Sequence, residues 1–327
     1  MRSVTVLAVV FAGCISAAEP TAADKDPQGG VEEQQDPFKL NNANVKPVPF
    51  DGKRAMKYLK AICDIGPRQS GTKGMREQIE LITKHFEDLG LKVEVQAFSG
   101  KQVSRKEAVE MKNLIIRFFP DKEKRVILCS HYDTRPIADQ EDDPRKWKET
   151  FVSANDGGSG VAFLMELAHH LKGLKLDVGV DFVLFDGEEF IFDRNNDEYF
   201  FGSKHFAKEW RKNKGKVKYG AAVLLDMIGG DGAKFPIEVH SWQKAKEVCR
   251  QIWDTAAALK VDMFRGELGD RVLDDHIALQ NAGIPAIDII DFSYPHWHKL
   301  SDVPANCSGE SLENVSKVLS VWLQRLQ

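Results

Sequence analysis

Strands alternating with amphipathic helices predict an α/β fold, one domain with a central, mostly parallel mixed sheet flanked by helices. Three observations carry that expectation. Runs such as "RVILCSHYD", "VGVDFVLFDGEE" and "IPAIDIIDF" are too uniformly apolar for a sheet with one wet face and suit strands covered on both sides. Stretches with apolar residues at steps of three and four lie between them. Polar residues able to do chemistry stand where the apolar runs stop.

Taken in order, "MREQIELITKHFEDLG" places Met75, Ile79, Ile82, Phe86 and Leu89 on one helical face, with Gly90 at the stop. "LKVEVQAF" alternates Leu91, Val93, Val95 and Ala97 as a half-buried strand. "NLIIRFF" and "RVILCSHYD" follow as strands. After "SANDGGSG", the stretch "VAFLMELAHHL" puts Val161, Leu164, Leu167, Ala168 and Leu171 on one face. "VGVDFVLFDGEE", "AAVLLDMIGG" and "IPAIDIIDF" are further buried strands. "GSKHFAKEWRK", "SWQKAKEVCRQIWDTAAAL" and "DDHIALQNAG" are the helices between them, and "SLENVSKVLSVWLQRL" closes the chain. No internal repeat is found, so one domain over 49–327 is expected.

The N-terminal residues stand apart. "MRSVTVLAVVFAGCISAAEP" has Arg2, a short apolar core and then small residues, the layout of a signal peptide over 1–18. A lipid anchor at Cys14 is the weaker alternative. Residues 19–48 are polar, Pro-rich and without periodicity, and are expected to be a flexible leader. An exported protein, periplasmic or extracellular, follows from the first segment. The net charge of -4 and pI near 6.2 argue against a nucleic-acid partner, and no later stretch is long and apolar enough to span a bilayer. Cys63, Cys129, Cys249 and Cys307 are scattered without a CxxC pair and are expected as buried free thiols.

In open α/β sheets, ligands bind outside the carboxyl ends of the strands. His131 and Asp133 end "ILCSHYD"; Asp156 lies in "SANDGGSG"; Glu188 and Glu189 end "VLFDGEE"; Asp226 ends "VLLDMIG"; His298 follows the last expected strand. Singly, each has a plain explanation: a core histidine, a helix N-cap at Asp156, a turn cap at Asp226, a solvated glutamate rim. Independent accidents would not all fall at strand ends. Two histidines with several carboxylates make a mixed nitrogen and oxygen donor set that suits zinc. Two adjacent glutamates repel unless a cation offsets them. If one of them ligates the cation, its neighbour is free to accept and donate a proton.

From "YLKAICDIGPRQSGTKG" to the C-terminus, the chain resembles the zinc-dependent aminopeptidases and their relatives, the glutaminyl-peptide cyclotransferases. "GPRQSG", "HYDT", "ANDGGSGVAFLMELA", "DGEEF", "DMIG" and "HWHKLSD" stand in the family's order. The resemblance implies a zinc aminopeptidase-like fold, with Asp156, Glu189 and His298 as the primary zinc ligands and Glu188 as the general acid/base. His131 and Asp226 would complete a second metal site in an aminopeptidase, and Asp133 would orient His131. One zinc is expected, with a second possible. Asp226 and Asp274 would join Glu188 as catalytic carboxylates in a cyclase, with Trp297 and Tyr294 lining the substrate pocket.

The two activities it implies differ in reaction class. An aminopeptidase hydrolyses the first peptide bond with a water for which Glu188 is the base. A cyclotransferase uses no water; the α-amine of an N-terminal glutamine attacks its own side-chain amide, and Glu188 relays the proton to departing ammonia. "DEYFFGSKHFA", "LDDHIALQNAGIPAIDII" and Trp297 directly before His298 resemble the cyclases. "NDGGSG" resembles the peptidases; Arg194 stands about where animal cyclases carry a tryptophan, and Leu273 replaces a glutamine. The leading expectation is an exported cyclotransferase acting on peptide or protein N-termini. An aminopeptidase is the alternative, and a non-catalytic binding module a remote third. The charged segment "IADQEDDPRKWKET" is expected to be an exposed loop near the site mouth.

Overall fold

The computed structural model describes residues 38–213 and 217–327. The expected signal peptide over 1–18, Cys14 and most of the expected leader lie outside the described residues. Eight strands are present among them: β1 (Val93–Gly100), β2 (Val109–Phe118), β3 (Lys124–His131), β4 (Gly179–Phe185), β5 (Lys218–Asp226), β6 (Phe235–Ile237), β7 (Phe264–Leu268) and β8 (Ala286–Ile290). The helices are α1 (Gly52–Asp64), α2 (Lys73–Asp88), α3 (Gly160–Leu171), α4 (Phe201–Lys212), α5 (Val239–Lys244), α6 (Lys246–Ala258), α7 (Asp275–Asn281) and α8 (Gly309–Arg325).

Every strand expected from the sequence enters one six-stranded sheet, ordered β1-β2-β4-β3-β5-β8. β4, β3, β5 and β8 run parallel, while β2 is antiparallel to both β1 and β4. Alternate side chains of the central strands feed two cores. Val126, Leu128, Phe182 and Val223 face the layer that includes α1, α3 and α8, and Ile127, Cys129, Val183 and Leu224 face Phe206 and Trp210 of α4 and Leu279 of α7. Both faces are covered, which is why these strands read as unbroken apolar runs. From β3 the chain crosses to β4 on one side, whereas β5 lies on the other. The order therefore reverses at the carboxyl ends of β3 and β5, where a doubly wound sheet opens a crevice.

Four details differ from the sequence-based expectation. β1 is an edge strand whose alternation does not follow its apolar residues: Val95 is 48% exposed, while Phe98 stacks on His205 of α4 with ring centroids 4.6 Å apart. The single helix expected over "SWQKAKEVCRQIWDTAAAL" is broken at Ala245 (φ -138, ψ 41). Glu238 caps α5 through His240 N and Ser241 N, and Ser241 Oγ accepts from Asp288 N at 2.9 Å. α5 is thereby pinned to β8, while α6 turns to bury Val248 and Ile252. β6 and β7 form a separate two-stranded parallel ladder too short to be seen as periodicity. Residues 38–48, expected within the flexible leader, are tied to the body. Leu40 bridges Leu326, Phe38 and Val48 are buried, and Val48 N donates to Ser320 Oγ.

Cys63, Cys129, Cys249 and Cys307 are free thiols, the first three buried. Among the described residues no helix is long and apolar enough to cross a membrane.

Candidate metal centre

His131 and Asp226 end the adjacent parallel strands β3 and β5, so their side chains meet over the crevice, with His131 Nε2 3.2 Å from Asp226 Oδ1. Asp156 lies between them, at a backbone break ahead of α3. It keeps an extended ψ of 102, and Gly157 turns back with φ 77. A side chain at Gly157 would place its Cβ 2.7 Å from His131 Cε1, so only glycine lets the loop approach the imidazole. The loop is fixed from three directions. Arg68, from "GPRQSG", donates to the carbonyls of Val152 and Ser153. Asp302 accepts Asn155 N and Asp156 N. Asn155 Oδ1 accepts Gly229 N beyond β5 at 2.7 Å.

After β4, Gly187 (φ 78) turns the chain, and its Cβ would meet Met111 Sδ at 2.7 Å. The amides of Glu188 and Glu189 then both donate to the buried Asp133 carboxylate, at 3.2 and 3.0 Å. Asp133 was expected to orient His131, but its Oδ1 lies 3.7 Å from His131 Nδ1. That contact is electrostatic rather than a hydrogen bond, and the stronger task of Asp133 is to fix the glutamate turn.

Two donor groups could each hold a cation. One is His131, Asp156 and Asp226; the other is Asp156, Glu189 and His298; within each, the atoms lie within 4.8 Å of one another. Asp156 belongs to both, with Oδ1 3.1 Å from His131 Nε2 and Oδ2 3.3 Å from His298 Nε2. His298 Nε2 is also 3.1 Å from Glu189 Oε1. The backbone of His298 is left-handed (φ 52), as is that of Met227 (φ 48) after Asp226, a strain that persists where surrounding contacts over-determine it. His298 O accepts Gln140 N, and Met227 O accepts Asn155 Nδ2.

The electrostatics fit a cation. Burial opposes charge on Asp156, yet His131 and His298 hold its carboxyl well below the usual range. Burial likewise opposes Glu189, which Arg135 and His298 nonetheless hold low. Burial also works against protonating the histidines. Even so, Asp133, Asp156 and Asp226 push His131 well up, and Glu189, Asp139 and Asp156 do the same for His298. The imidazoles are thus drawn toward carrying the positive charge that a divalent ion would supply. His131 Nδ1 and Asp156 Oδ2 are buried with no aligned hydrogen-bond partner. Imidazole nitrogens and carboxylate oxygens at this density suit zinc.

Glu188 stands outside both groups. Its carboxyl is pushed well above the usual range by burial and then by Glu189. Asp274, the N-cap of α7, is pushed up by burial and by Asp226. Both line a cavity of about 360 Å³ together with Asp226, Trp297 and His298. The Trp297 ring lies 5.0 Å from that of Phe292 and 4.2 Å from the His298 imidazole. Tyr294, expected in the pocket wall, is not among the cavity residues. It is buried behind the site, and its hydroxyl donates to Asp302 Oδ1 at 2.9 Å.

Two residues escaped the sequence reasoning. Asp139 Oδ1 is 2.9 Å from His298 Nδ1, and Arg135 joins Asp139 Oδ2 at 3.1 Å to Glu189 Oε2 at 2.7 Å. Carboxylates that orient a ligand imidazole in this way are a general feature of metal sites. Asp139 lies in the segment expected to be an exposed loop, of which Ala138 and Asp139 are in fact buried. Its only linear signal is that it follows "HYDTR" closely, within reach of the same strand end.

The model of Peptidase family M28 matches residues 113–323. A glutaminyl cyclase of Fimbriiglobus ruber is 49% identical, with a TM-score of 0.85 over 88% of this chain and 99% of that one. A Zn-dependent exopeptidase of Parabacteroides distasonis is 29% identical, with a TM-score of 0.77 over 84% and 99%. The glutaminyl-peptide cyclotransferase of Boiga irregularis is 25% identical over 241 residues, 64% of this chain and 64% of that protein's length. With the fold, the strand-end donors and this match across most of the domain, the chain belongs to peptidase family M28.

Proposed function

We propose that the chain is a zinc-dependent glutaminyl-peptide cyclotransferase that converts an N-terminal glutamine of a peptide into pyroglutamate with release of ammonia. The observation that carries this reading is a pair of buried carboxyls, Glu188 and Asp274. Both face the cavity, lie outside the two donor groups and are pushed above the usual range by burial. A hydrolase needs one base. A cyclase must take a proton from the α-amine, hold the side-chain amide and deliver a proton to the departing nitrogen.

Asp156, Glu189 and His298 would hold the zinc, which when bound supplies Lewis-acid polarisation of the amide carbonyl. The chain's own residues do the rest. Trp297 walls the side chain so that amine and amide are held within attacking distance. As the α-amine nitrogen bonds to the amide carbon, Glu188 takes its proton, then gives it to the amide nitrogen as the C–N bond breaks and ammonia leaves. Asp274, whose carboxyl burial and Asp226 push up, holds the amide by a hydrogen bond. Asp226 raises that carboxyl by its charge and meets His131 Nε2 at 3.2 Å.

One observation favours the second reading, a zinc exopeptidase: His131, Asp156 and Asp226 form a complete additional donor group, as a two-ion hydrolase requires. Export, expected from the apolar segment after Arg2, is part of the proposal.

Mass spectrometry on one zinc-loaded sample separates the readings, with one peptide beginning with Gln and one with Leu. Loss of ammonia from the first, with the second intact, is expected. Release of free Leu would replace the cyclase by the exopeptidase.

A further inference from the structure

The cavity over Glu188 is acidic at its floor and basic at its lip. Of the arginines that line it, Arg135 is buried and committed to Glu189 and Asp139. The other two, Arg194 in the loop beyond Glu189 and Arg271 just ahead of Asp274, are exposed. Neither makes an ion pair among the described residues. Arg271 Nη1 reaches only His240 Nδ1 at 3.5 Å and Gln243 Oε1 at 3.4 Å, neither of them a carboxylate. Asp193, the acid beside Arg194, is turned into its own loop, accepting Asn195 N and Asn196 Nδ2 at 3.0 and 2.8 Å. Leu273 and Phe292, which line the same cavity, are 68% and 38% exposed, an apolar shelf for a chain leaving it. That shelf leads on. Val272, Ile290 and Phe292 also line a second basin of about 410 Å³, which contains Lys234 and Arg265 but also Glu267 and Asp270. Charge there is mixed, so the selective step belongs to the lip.

We propose that Arg194 and Arg271 form a carboxylate-binding lip that selects peptides with Asp or Glu at the second or third residue. The inference rests on the reading of this cavity as the place where a peptide N-terminus binds. With the first residue inside, an extended chain advances roughly 3.3 Å per residue, so the next side chains must pass the lip. A guanidinium offers a planar fork of donors matched to a carboxylate. The acids at the floor repel that same carboxylate, so an acidic residue gains only in one register, with the peptide's N-terminal α-amine inside and the acidic side chain out. Exposed pairs are individually weak; the expected preference is about three- to tenfold, and it fades as salt screens it.

The test is a set of kcat/KM ratios measured on one protein sample, so that the active fraction cancels. The substrates are Gln-Glu-Ala-NH2, Gln-Ala-Glu-NH2, Gln-Gln-Ala-NH2 and Gln-Lys-Ala-NH2, with Gln-Ala and Gln-Ala-NH2 to separate a side-chain carboxylate from a terminal one. At low salt a Glu peptide should exceed the Gln peptide and the Lys peptide should trail. Arg194→Glu with Arg271→Glu should reverse that order, a result that mere loss of structure does not produce. Equal ratios across the set, or a preference unchanged in the double variant, would overturn the lip. A gain confined to free-acid Gln-Ala would overturn the side-chain assignment. If no peptide is cyclised, the cyclase reading has failed. The same peptides begun with Leu then decide the lip by their hydrolysis ratios, and turnover of neither set overturns both.

Discussion

Strands β3, β4 and β5 carry a buried charged cluster at each end, and the two are built on opposite rules. At the strand starts, Arg125 spends every guanidinium donor. Nε goes to Asp181 Oδ1, Nη1 to the carbonyls of Phe119 and Lys122, and Nη2 to Asp181 and the Phe118 carbonyl. Tyr219 donates to the other Asp181 oxygen at 2.6 Å. Arg117 Nε adds a second, longer contact to Asp181 Oδ2 at 3.7 Å, so the anion is fully offset and no side-chain atom of Arg125 or Asp181 is left over. At the strand ends, Asp133, Asp156, Glu188, Glu189, Asp226 and Asp274 face two guanidinium groups, Arg135 and the more distant Arg68, and two imidazoles, and His131 Nδ1 has no hydrogen-bond partner. Burial alone does not separate a structural ion pair from a site. The surplus of one sign and the unspent donors and acceptors do.

The strongest way to break that comparison is at Glu188. Glu188→Gln should lower kcat by about 10² to 10⁴-fold, the usual contribution of a proton-transferring group, with the zinc content of the purified protein unchanged. Its counterpart, Asp156→Ala, should lose bound metal, because that carboxylate belongs to both donor groups. Metal analysis beside steady-state rates reads both. Full zinc with unchanged turnover in the glutamine variant would remove Glu188 from its assigned role.

At the other end of the strands the effect should fall on stability instead. Arg125→Met leaves the buried Asp181 with only the more distant Arg117 and removes the guanidinium donors to the Phe118 and Lys122 carbonyls, at a cost of about 3–5 kcal/mol. Urea unfolding should register that loss while kcat of the folded fraction stays at the wild-type value. A large fall in kcat with unchanged stability would erase the distinction between the two ends.

The sheet was legible because its central strands are buried on both faces and read as apolar runs, and the donors because each follows such a run. What was not legible depends on contacts between residues far apart in sequence. Tyr294 stands four residues before His298, yet a left-handed His298 and the pull of Asp302 turn the tyrosine behind the site. Asp139 sits in a charged stretch that reads as solvated, and only the meeting with His298, 159 residues away, buries it. Asp139→Asn tests that contact. It should weaken zinc affinity about 10- to 100-fold, measured by competition with a chelator, with a smaller loss of kcat at saturating zinc. An unchanged affinity would make Asp139 a packing residue.

The smallest and most diffuse effect is the pH dependence of stability in chelator-treated protein. Burial raises Asp186, Asp275 and Asp302 to about 7, against 3.8 for an ordinary aspartate. Between those values the folded chain holds protons that the unfolded chain has released, so stability falls as pH rises through that window. His131 and His298, raised by their carboxylate neighbours, add a loss of the same sign above about 6.5. Asp156 and Glu189, held low, act oppositely, but only in acid near their unfolded values. The Tm of metal-free protein should therefore drop by about 5 °C or more between pH 5 and 8. Zinc should flatten that slope, since the ion replaces the protons as the charge that the carboxylates face. A metal-free Tm that stays level over this range would mean that the surplus charge at the strand ends is not felt as folding free energy. The two ends of the sheet would then differ in chemistry alone.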